Sequence, residues 1–338
     1  MFVVNSYFLA VLFCFVTMLC WGSWGNTQKL AAKSWRYELF YWDYVFGMLA
    51  FSLVIAFTMG SFGAEGRPFL SDLGQASCSS IGWVLLGAVV FNISNILLSA
   101  STSIAGMSVA FPLGVGLALV LGVLNNIFFH PKGNENIVLL FIGVALVVAA
   151  IICDGIASGK ASSEARDKKQ NRKGIILALF AGIIMSFFSA LVYNGMDLND
   201  FSNPEAGKVT PYTAIVIFSA GVVLSNLIIN TIVMKKPFVG EPVTYGQYFK
   251  GDVKTHLVGM LGGAIWCLGT ALNYISAGKA GASVSYALGQ GAPMIAAIWG
   301  VFIWKEFKGA GRKVYPLVVS MFVLFIAGLS LIVVAGKI

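Results

Sequence analysis

Long runs of apolar residues, separated by short polar segments, set the pattern of this sequence. A membrane-spanning helix needs about 20 mostly apolar residues, and ten runs reach that length. Several of the runs are apolar on all sides and show no period. The pattern predicts an all-α integral membrane protein with ten transmembrane helices, at residues 5–27, 38–60, 79–100, 104–128, 137–157, 174–196, 211–234, 255–277, 281–304 and 314–336.

Composition supports a lipid environment. Hydrophobic residues make up 58% of the 338 residues and charged residues only 11%, against about 25% charged residues in a typical soluble domain. The formal net charge is +8, but the basic residues are scattered through the loops, so we expect no nucleic-acid partner. The five cysteines lack paired spacing, and we expect no disulfide, metal or cofactor.

The basic residues predict the orientation of the chain. The first, third, fifth, seventh and ninth loops together hold 17 lysines and arginines, and the other side of the membrane holds 5. Because basic residues accumulate in cytoplasmic loops, the odd loops are predicted to be cytoplasmic. Both termini then lie outside, in the periplasm if the membrane is the inner membrane of a bacterium.

A phrase that occurs twice predicts the domain organisation. GMSVAFPLGVG at 106–116 and GASVSYALGQG at 281–291 are offset by 175 residues, and over 86–116 and 261–291 the two copies share 11 of 31 residues. We therefore predict two five-helix repeats, at 1–157 and 174–338, joined by a basic cytoplasmic linker at 158–173. Two repeats with an odd number of spans must be inverted relative to each other.

Inverted repeats are typical of secondary transporters, whose solute lies near the midplane between the halves. The glycines of the repeated phrase fall near the middle of spans 4 and 9. We predict that Gly114 and Gly116 meet Gly289 and Gly291 at the same depth, where glycine allows close approach of helices or of backbone to a solute. The alternative is that these glycines serve helix packing alone.

The order of several motifs resembles a known family. The ten-span plan, with Ala292-Pro293 followed by an apolar run to Glu306, is similar to the drug/metabolite transporter superfamily. More closely, the chain resembles the ureide permease family, through YWDY at 41–44, AFTMG at 56–60, GMSV at 106–109, YTA at 212–214 with FS at 218–219, and Tyr315 with VSM at 319–321. The resemblance implies proton-linked uptake of small nitrogen heterocycles such as allantoin or uracil. The related glucose/ribose porter family shares the plan, which leaves sugar symport as the alternative.

Acidic side chains within the spans are candidates for proton coupling, because a charge in the hydrocarbon region is costly and marks function. Asp43 lies clearly inside span 2, whereas Asp154 and Glu306 lie at the cytoplasmic ends of spans 5 and 9. The alternative for Asp43 is an ion pair with Lys29, Lys33 or Arg36.

Polar and aromatic side chains at mid-depth are candidates for solute contact. The offset of 175 pairs Phe91 with Trp266 and Asn95 with Thr270, so each half offers an aromatic ring and a polar group four residues later. Rings stack on flat solutes and amides bond to their edges. The candidates are Trp21, Trp24, Asn92, Asn95, Trp266, Thr270, Asn273, Tyr286 and Gln290. The alternatives are interhelical hydrogen bonding and, for Trp21 and Trp24, anchoring at the membrane interface.

These features favour a secondary transporter over the other classes of membrane protein. An enzyme would need a nucleophile with a base, or a cluster of metal ligands, at membrane depth. A channel would need a ring of charges or a carbonyl filter. A multidrug exporter is a weaker candidate, because the spans carry several amides and hydroxyls that suit a small polar solute. The partners expected are this solute, protons and the lipid bilayer.

Overall fold

A computed structural model describes residues 1–32, 35–130, 136–161, 168–305 and 314–337. Ten of its helices are long and apolar enough to cross a membrane, which confirms the all-α, ten-span prediction. Their bounds are Tyr7–Ser23 followed by Gly25–Ala31 (span 1), Tyr37–Phe57 (span 2), Cys78–Ala105 (span 3), Met107–Phe129 (span 4), Ile137–Ala161 (span 5), Lys168–Met185 followed by Phe188–Gly195 (span 6), Pro211–Lys235 (span 7), Val253–Ala280 (span 8), Ala282–Gly289 followed by Ala292–Ile298 and the π-helical turn Trp299–Ile303 (span 9), and Tyr315–Ala335 (span 10).

The helices differ from the predicted spans mainly at their ends. Spans 5 and 6 continue into the predicted linker, to Ala161 and from Lys168, because a helix that leaves the hydrocarbon region can keep its backbone hydrogen bonds in water. Residues 162–167 of the predicted linker lie outside the described residues. Two short helices in the loops, Phe69–Gln75 and Tyr245–Phe249, were not predicted, since they are too short to give a periodic signal.

Span 9 is broken in the middle, and the sequence explains where. Its first helix ends at Gly289 and the next begins at Ala292, with Pro293 in its first turn. Proline has no N–H to donate to the carbonyl four residues earlier, which here belongs to Gly289. Span 4 also contains a proline, Pro112, yet its helix is continuous.

The chain has two distinct faces. The terminal face, with both termini and the even loops, is held by bonds such as that from the Tyr212 hydroxyl to the Phe2 carbonyl (2.8 Å) and from the Asn136 amide to the Ala335 carbonyl (2.9 Å). The linker face carries the odd loops, and there the Lys173 ammonium donates to the Phe238 carbonyl. Alternation of ten spans therefore brings the first and last residues to the same side.

Helix contacts occur in matched pairs when spans 1–5 are compared with spans 6–10. The contact of span 3 with span 6 corresponds to that of span 8 with span 1. The contact of span 2 with span 8 corresponds to that of span 7 with span 3. The contact of span 4 with span 6 corresponds to that of span 9 with span 1. Spans 3 and 8 both have 28 residues. Each ends at a single glycine in a left-handed conformation, Gly106 (φ 85°, ψ 157°) and Gly281 (φ 86°, ψ 152°).

Glycines set the closest helix crossings. A Cβ on Gly263 of span 8 would lie 1.9 Å from the Tyr44 carbonyl oxygen of span 2, and one on Gly47 would lie 2.1 Å from the Met260 carbonyl oxygen. At these two points, backbone packs directly on backbone. Spans 2 and 8 are thus held in a fixed register, which positions the side chains that meet at their linker-face ends.

Candidate solute-binding site

A small cavity of about 40 Å³, enough for a few water molecules, lies between spans 1, 3, 4, 6, 8 and 9. Residues of both predicted repeats line the cavity, as predicted for a solute site. The lining residues are Trp21, Trp24, Phe91, Asn95, Leu98, Phe111, Val115, Met185, Phe188, Trp266, Gln290 and Ala292.

Aromatic rings form most of this wall. The rings of Trp21 and Trp266 stack with centroids 6.0 Å apart and planes 13° apart, and Phe91 lies 4.3 Å from Trp266. The Trp21 indole N–H donates to the Thr270 hydroxyl at 3.0 Å, which fixes the ring. Phe218 stacks on Trp266. These rings support one another and present flat apolar surface to the cavity.

Two amide side chains supply polar groups to the lining. Asn95 donates from Nδ2 to the Tyr41 hydroxyl at 3.2 Å, and this bond orients its amide. Gln290 lies in the break of span 9, where the helix end leaves its side chain beside the cavity. Val115 of span 4, which the offset of 175 pairs with Gln290, also lines the cavity. The residue between the last two glycines of each copy of the repeated phrase therefore lines the cavity.

Five of the nine predicted solute contacts line the cavity: Trp21, Trp24, Asn95, Trp266 and Gln290. The other four lie outside the lining, and their polar groups bond to protein. Asn92 donates to the Ser225 hydroxyl (2.9 Å), Asn273 accepts from Tyr193 (2.9 Å), Tyr286 donates to the Ala118 carbonyl (3.1 Å), and Thr270 accepts from Trp21. These bonds match the alternative of interhelical hydrogen bonding, and Thr270 also positions a cavity ring.

The four glycines of the repeated phrase do not pack on one another. A Cβ on Gly114 would meet Leu98 and the Ala178 carbonyl, and one on Gly116 would meet Ile151. Gly289 faces Trp21 and Thr17, and Gly291 faces Met18 and Leu329. The predicted meeting of glycines is therefore not formed. Spans 4 and 9 do contact each other, but their glycines face residues of spans 1, 3, 5, 6 and 10 instead.

Asp43 belongs to a three-residue cluster at the linker face. Its Oδ1 accepts from the Tyr248 hydroxyl at 2.7 Å and lies 2.8 Å from His256 Nδ1. Its Oδ2 is buried without a hydrogen-bond partner among the described residues. Asp43 itself is buried, whereas the His256 side chain is 24% exposed, so the imidazole connects the acid with the surface. The Trp35 ring covers His256 edge-on, with centroids 4.7 Å apart.

Tyr248, in the short helix between spans 7 and 8, holds its proton firmly. Burial raises the pKa of its phenol, and the adjacent Asp43 carboxylate raises that pKa further. Tyr248 therefore remains a donor to Asp43 at physiological pH. Neither Tyr248 nor His256 was predicted as a partner, because more than 200 residues separate each of them from Asp43 along the chain.

Of the basic residues considered as partners of Asp43, the two that the structure describes make other contacts. Arg36 pairs with Glu38 at 2.5 Å, and the Lys29 ammonium lies 4.4 Å from the Trp304 ring centroid; Lys33 lies outside the described residues. Of the other predicted coupling acids, Asp154 is buried in span 5 away from the cavity lining. Glu306 also lies outside the described residues.

Ten helices that can span a membrane, around a small cavity lined from both halves of the chain, define a polytopic membrane protein. A model of the ureide permease family matches residues 40–174 and 167–335. The chain belongs to the ureide permease family, and this membership places it with transporters rather than with enzymes.

Named relatives agree with this assignment, and a solved structure shares the fold. Ureide permease 1 of Arabidopsis thaliana is 23% identical over 390 residues, covering 99% of each chain. Probable ureide permease A3 of Vigna unguiculata is 22% identical and covers 90% of this chain and 97% of its own length. A crystal structure with 15% identity matches over 95% of both chains with a TM-score of 0.62; at this identity, it supports the fold alone.

Proposed function

We propose that this protein carries a small, planar, polar nitrogen heterocycle of the ureide or nucleobase class across the membrane in symport with protons. The observation that carries the proposal is the cavity, with its aromatic faces and two amide side chains. Relatives named ureide permeases support the same solute class here.

The chemistry of the cavity suits such a solute. Ureides and nucleobases have flat regions and edges crowded with N–H and C=O groups. The faces of Trp21 and Trp266 suit the flat regions, and the amides of Asn95 and Gln290 each carry both a donor and an acceptor for the edge. A lipophilic cation of the kind that multidrug exporters carry would offer no hydrogen bonds to the remaining donors and acceptors of these two amides in a dry site, which costs free energy.

Alternating access by two inverted repeats is the mechanism we propose. The matched helix contacts support it, as do the identical lengths of spans 3 and 8 and the closely similar dihedral angles of Gly106 and Gly281. Two halves that pack on each other through equivalent surfaces can rock about the cavity and expose it to one face at a time. The linker face, with most of the basic residues, is proposed to be cytosolic. The named relatives are plant proteins and give no support to a bacterial membrane.

Asp43 is the proposed proton carrier. Its Oδ2 is the carboxylate oxygen without a protein donor and is therefore the atom open to a proton. His256, partly exposed and in contact with Oδ1, can pass a proton between this acid and the solvent of the linker face. Tyr248 holds the carboxylate in place in both protonation states.

The solute class is tested by a thermal-shift screen of the purified protein. Allantoin and uracil should raise the melting temperature, because a ligand at 100 times its Kd stabilises the folded state by about 2.7 kcal/mol. Glucose, ribose and rhamnose should leave it unchanged. Stabilisation by the sugars alone would favour the sugar-symport alternative, and stabilisation only by lipophilic cations would indicate an exporter.

Removal of the Gln290 amide should weaken solute binding. In Gln290→Met the side chain keeps its length but loses its donor and acceptor, so one or two polar groups of the bound solute stay unpaired. At about 1–3 kcal/mol for this loss, Kd should rise roughly 5- to 150-fold. Isothermal titration calorimetry measures the change.

Leu98→Met is the matched control for this variant. It introduces the same side chain into the same cavity but removes no polar group, and volume-conserving swaps of this kind are well tolerated. Kd should stay close to that of the unchanged protein. Equal weakening by both variants would contradict a polar role for Gln290.

A further inference from the structure

An arginine on the terminal face ties the two halves of the chain together. Arg67, in the loop between spans 2 and 3, donates from Nε to Asp72 Oδ1 at 2.7 Å. Its Nη2 donates to the carbonyls of Glu205 and Lys208, both at 3.1 Å, in the loop between spans 6 and 7. Asp72 is fully buried, and its Oδ2 accepts from the backbone amide of Thr210, the residue before span 7, at 2.8 Å. We name Arg67 and Asp72 the terminal latch.

A second arginine makes the equivalent tie on the linker face. Arg36, directly before span 2, donates from Nη2 to Glu38 Oε1 at 2.5 Å and to the Val239 carbonyl at 3.0 Å. Its Nη1 donates to the Glu241 carbonyl, and both carbonyls belong to the loop between spans 7 and 8. Glu38 is also fully buried. We name Arg36 and Glu38 the linker latch.

The two latches share one design on opposite faces. In each, a partly exposed arginine is paired with a fully buried carboxylate and bonds to two carbonyls of a loop from the other half. The linker latch lies at the start of span 2, and the terminal latch contacts Thr210, the residue before span 7. The offset of 175 residues makes the starts of spans 2 and 7 equivalent. Charge-assisted bonds of this kind are short and specific, and a buried carboxylate that loses its cation is strongly destabilised.

We propose that the two latches are the gates of the transport cycle and that they open in alternation. This inference rests on the alternating-access mechanism proposed above. Because each latch joins the two halves, the halves cannot rock apart at one face while the latch there is closed. Opening of the terminal latch admits solvent and solute from the terminal face, and opening of the linker latch connects the same cavity with the linker face.

Site-directed labelling tests the gates. In a variant whose native cysteines are replaced by alanine, Val115→Cys places one thiol in the cavity wall. A membrane-impermeant maleimide is applied to one face at a time in sealed vesicles. Arg67→Gln should raise labelling from the terminal face about tenfold, and Arg36→Gln should raise it from the linker face, since loss of a charge-assisted pair shifts a two-state equilibrium by about this factor.

Further variants separate a gate from a merely structural bond. Asp72→Asn should repeat the effect of Arg67→Gln on the terminal face, and the double variant should add little, because both remove one latch. Arg172→Gln on the linker face and Lys337→Gln on the terminal face lie outside the latches and should leave labelling unchanged. Size-exclusion chromatography checks that each variant is folded.

The sidedness of labelling decides the outcome. A rise from both faces in either variant, the same face in both variants, or no rise in folded variants would overturn the proposal. Labelling requires no solute. If the latches behave as expected while allantoin and uracil fail to bind, the solute class is wrong and the gates stand; if these solutes bind and labelling does not follow the latches, the gates are wrong and the solute class stands.

Discussion

In Asp43→Asn, accumulation of solute against its gradient is expected to be lost while exchange of solute across the membrane persists. Asparagine has the shape of aspartate, and its Oδ1 can still accept from Tyr248, so the contact between span 2 and the short helix before span 8 is kept. It cannot carry a proton. Proton-driven uptake should fall by about 100-fold or more, as when an essential proton-transfer group is removed.

Proteoliposomes separate the two activities. Uptake is measured with an imposed proton gradient, and exchange is measured with labelled and unlabelled solute on opposite sides and no gradient. Asp252→Asn is the matched control: Asp252 caps the start of span 8 on the same face and is exposed, and asparagine caps a helix equally well. This control should keep both activities. Proton-driven accumulation by Asp43→Asn at the unchanged rate would remove Asp43 from the mechanism.

In Gly263→Ala, the folded protein is expected to lose most of its stability. The new Cβ would lie 1.9 Å from the Tyr44 carbonyl oxygen and 2.7 Å from the Met48 amide nitrogen. Both are backbone atoms of a helix, so relief requires separation of spans 2 and 8. Overpacking of a core typically costs about 1–3 kcal/mol, and a clash with backbone lies at or above the top of that range. Thermal unfolding followed by size-exclusion chromatography measures the loss.

Gly82→Ala provides the comparison for this variant. Gly82 also lies in a membrane-spanning helix, in span 3, and a Cβ there would meet no atom within 4 Å. Alanine favours the helix over glycine by about 0.8–1.0 kcal/mol, so Gly82→Ala should be neutral or slightly stabilising. If the two alanine variants unfold at the same temperature, the close packing of spans 2 and 8 does not limit stability.

The ten spans were predictable because length and hydrophobicity alone define a membrane helix. The direction in which each side chain points was not predictable from the sequence. Asn92 and Asn95 lie on the same span near the same depth, yet Asn95 faces the cavity and Asn92 faces Ser225 of span 7. Both are amide side chains in a largely apolar helix, so neither residue type nor depth indicates which of the two is turned toward the cavity. The sequence therefore gives depth but no rotation about the helix axis.

The cluster around Asp43 shows a second limit of sequence reasoning. The acid was singled out because it is rare at this depth, and the basic residues considered as its partners were neighbours in sequence. Its actual partners, Tyr248 and His256, come from the other half of the chain.

Two residues of the cavity lining, Met185 and Phe188, were also not predicted. They flank the break in span 6, and the residues between them, Ser186 and Phe187, carry no glycine or proline signal.

One residue, Gly106, separates span 3 from span 4, and one residue, Gly281, separates span 8 from span 9. A connection of one residue leaves the two helices that it joins little freedom to move independently. In the alternating-access mechanism proposed above, a tilt of span 3 or span 8 would therefore be passed directly to the helix that carries Val115 or Gln290. Movement at the membrane surface would then change the shape of the cavity.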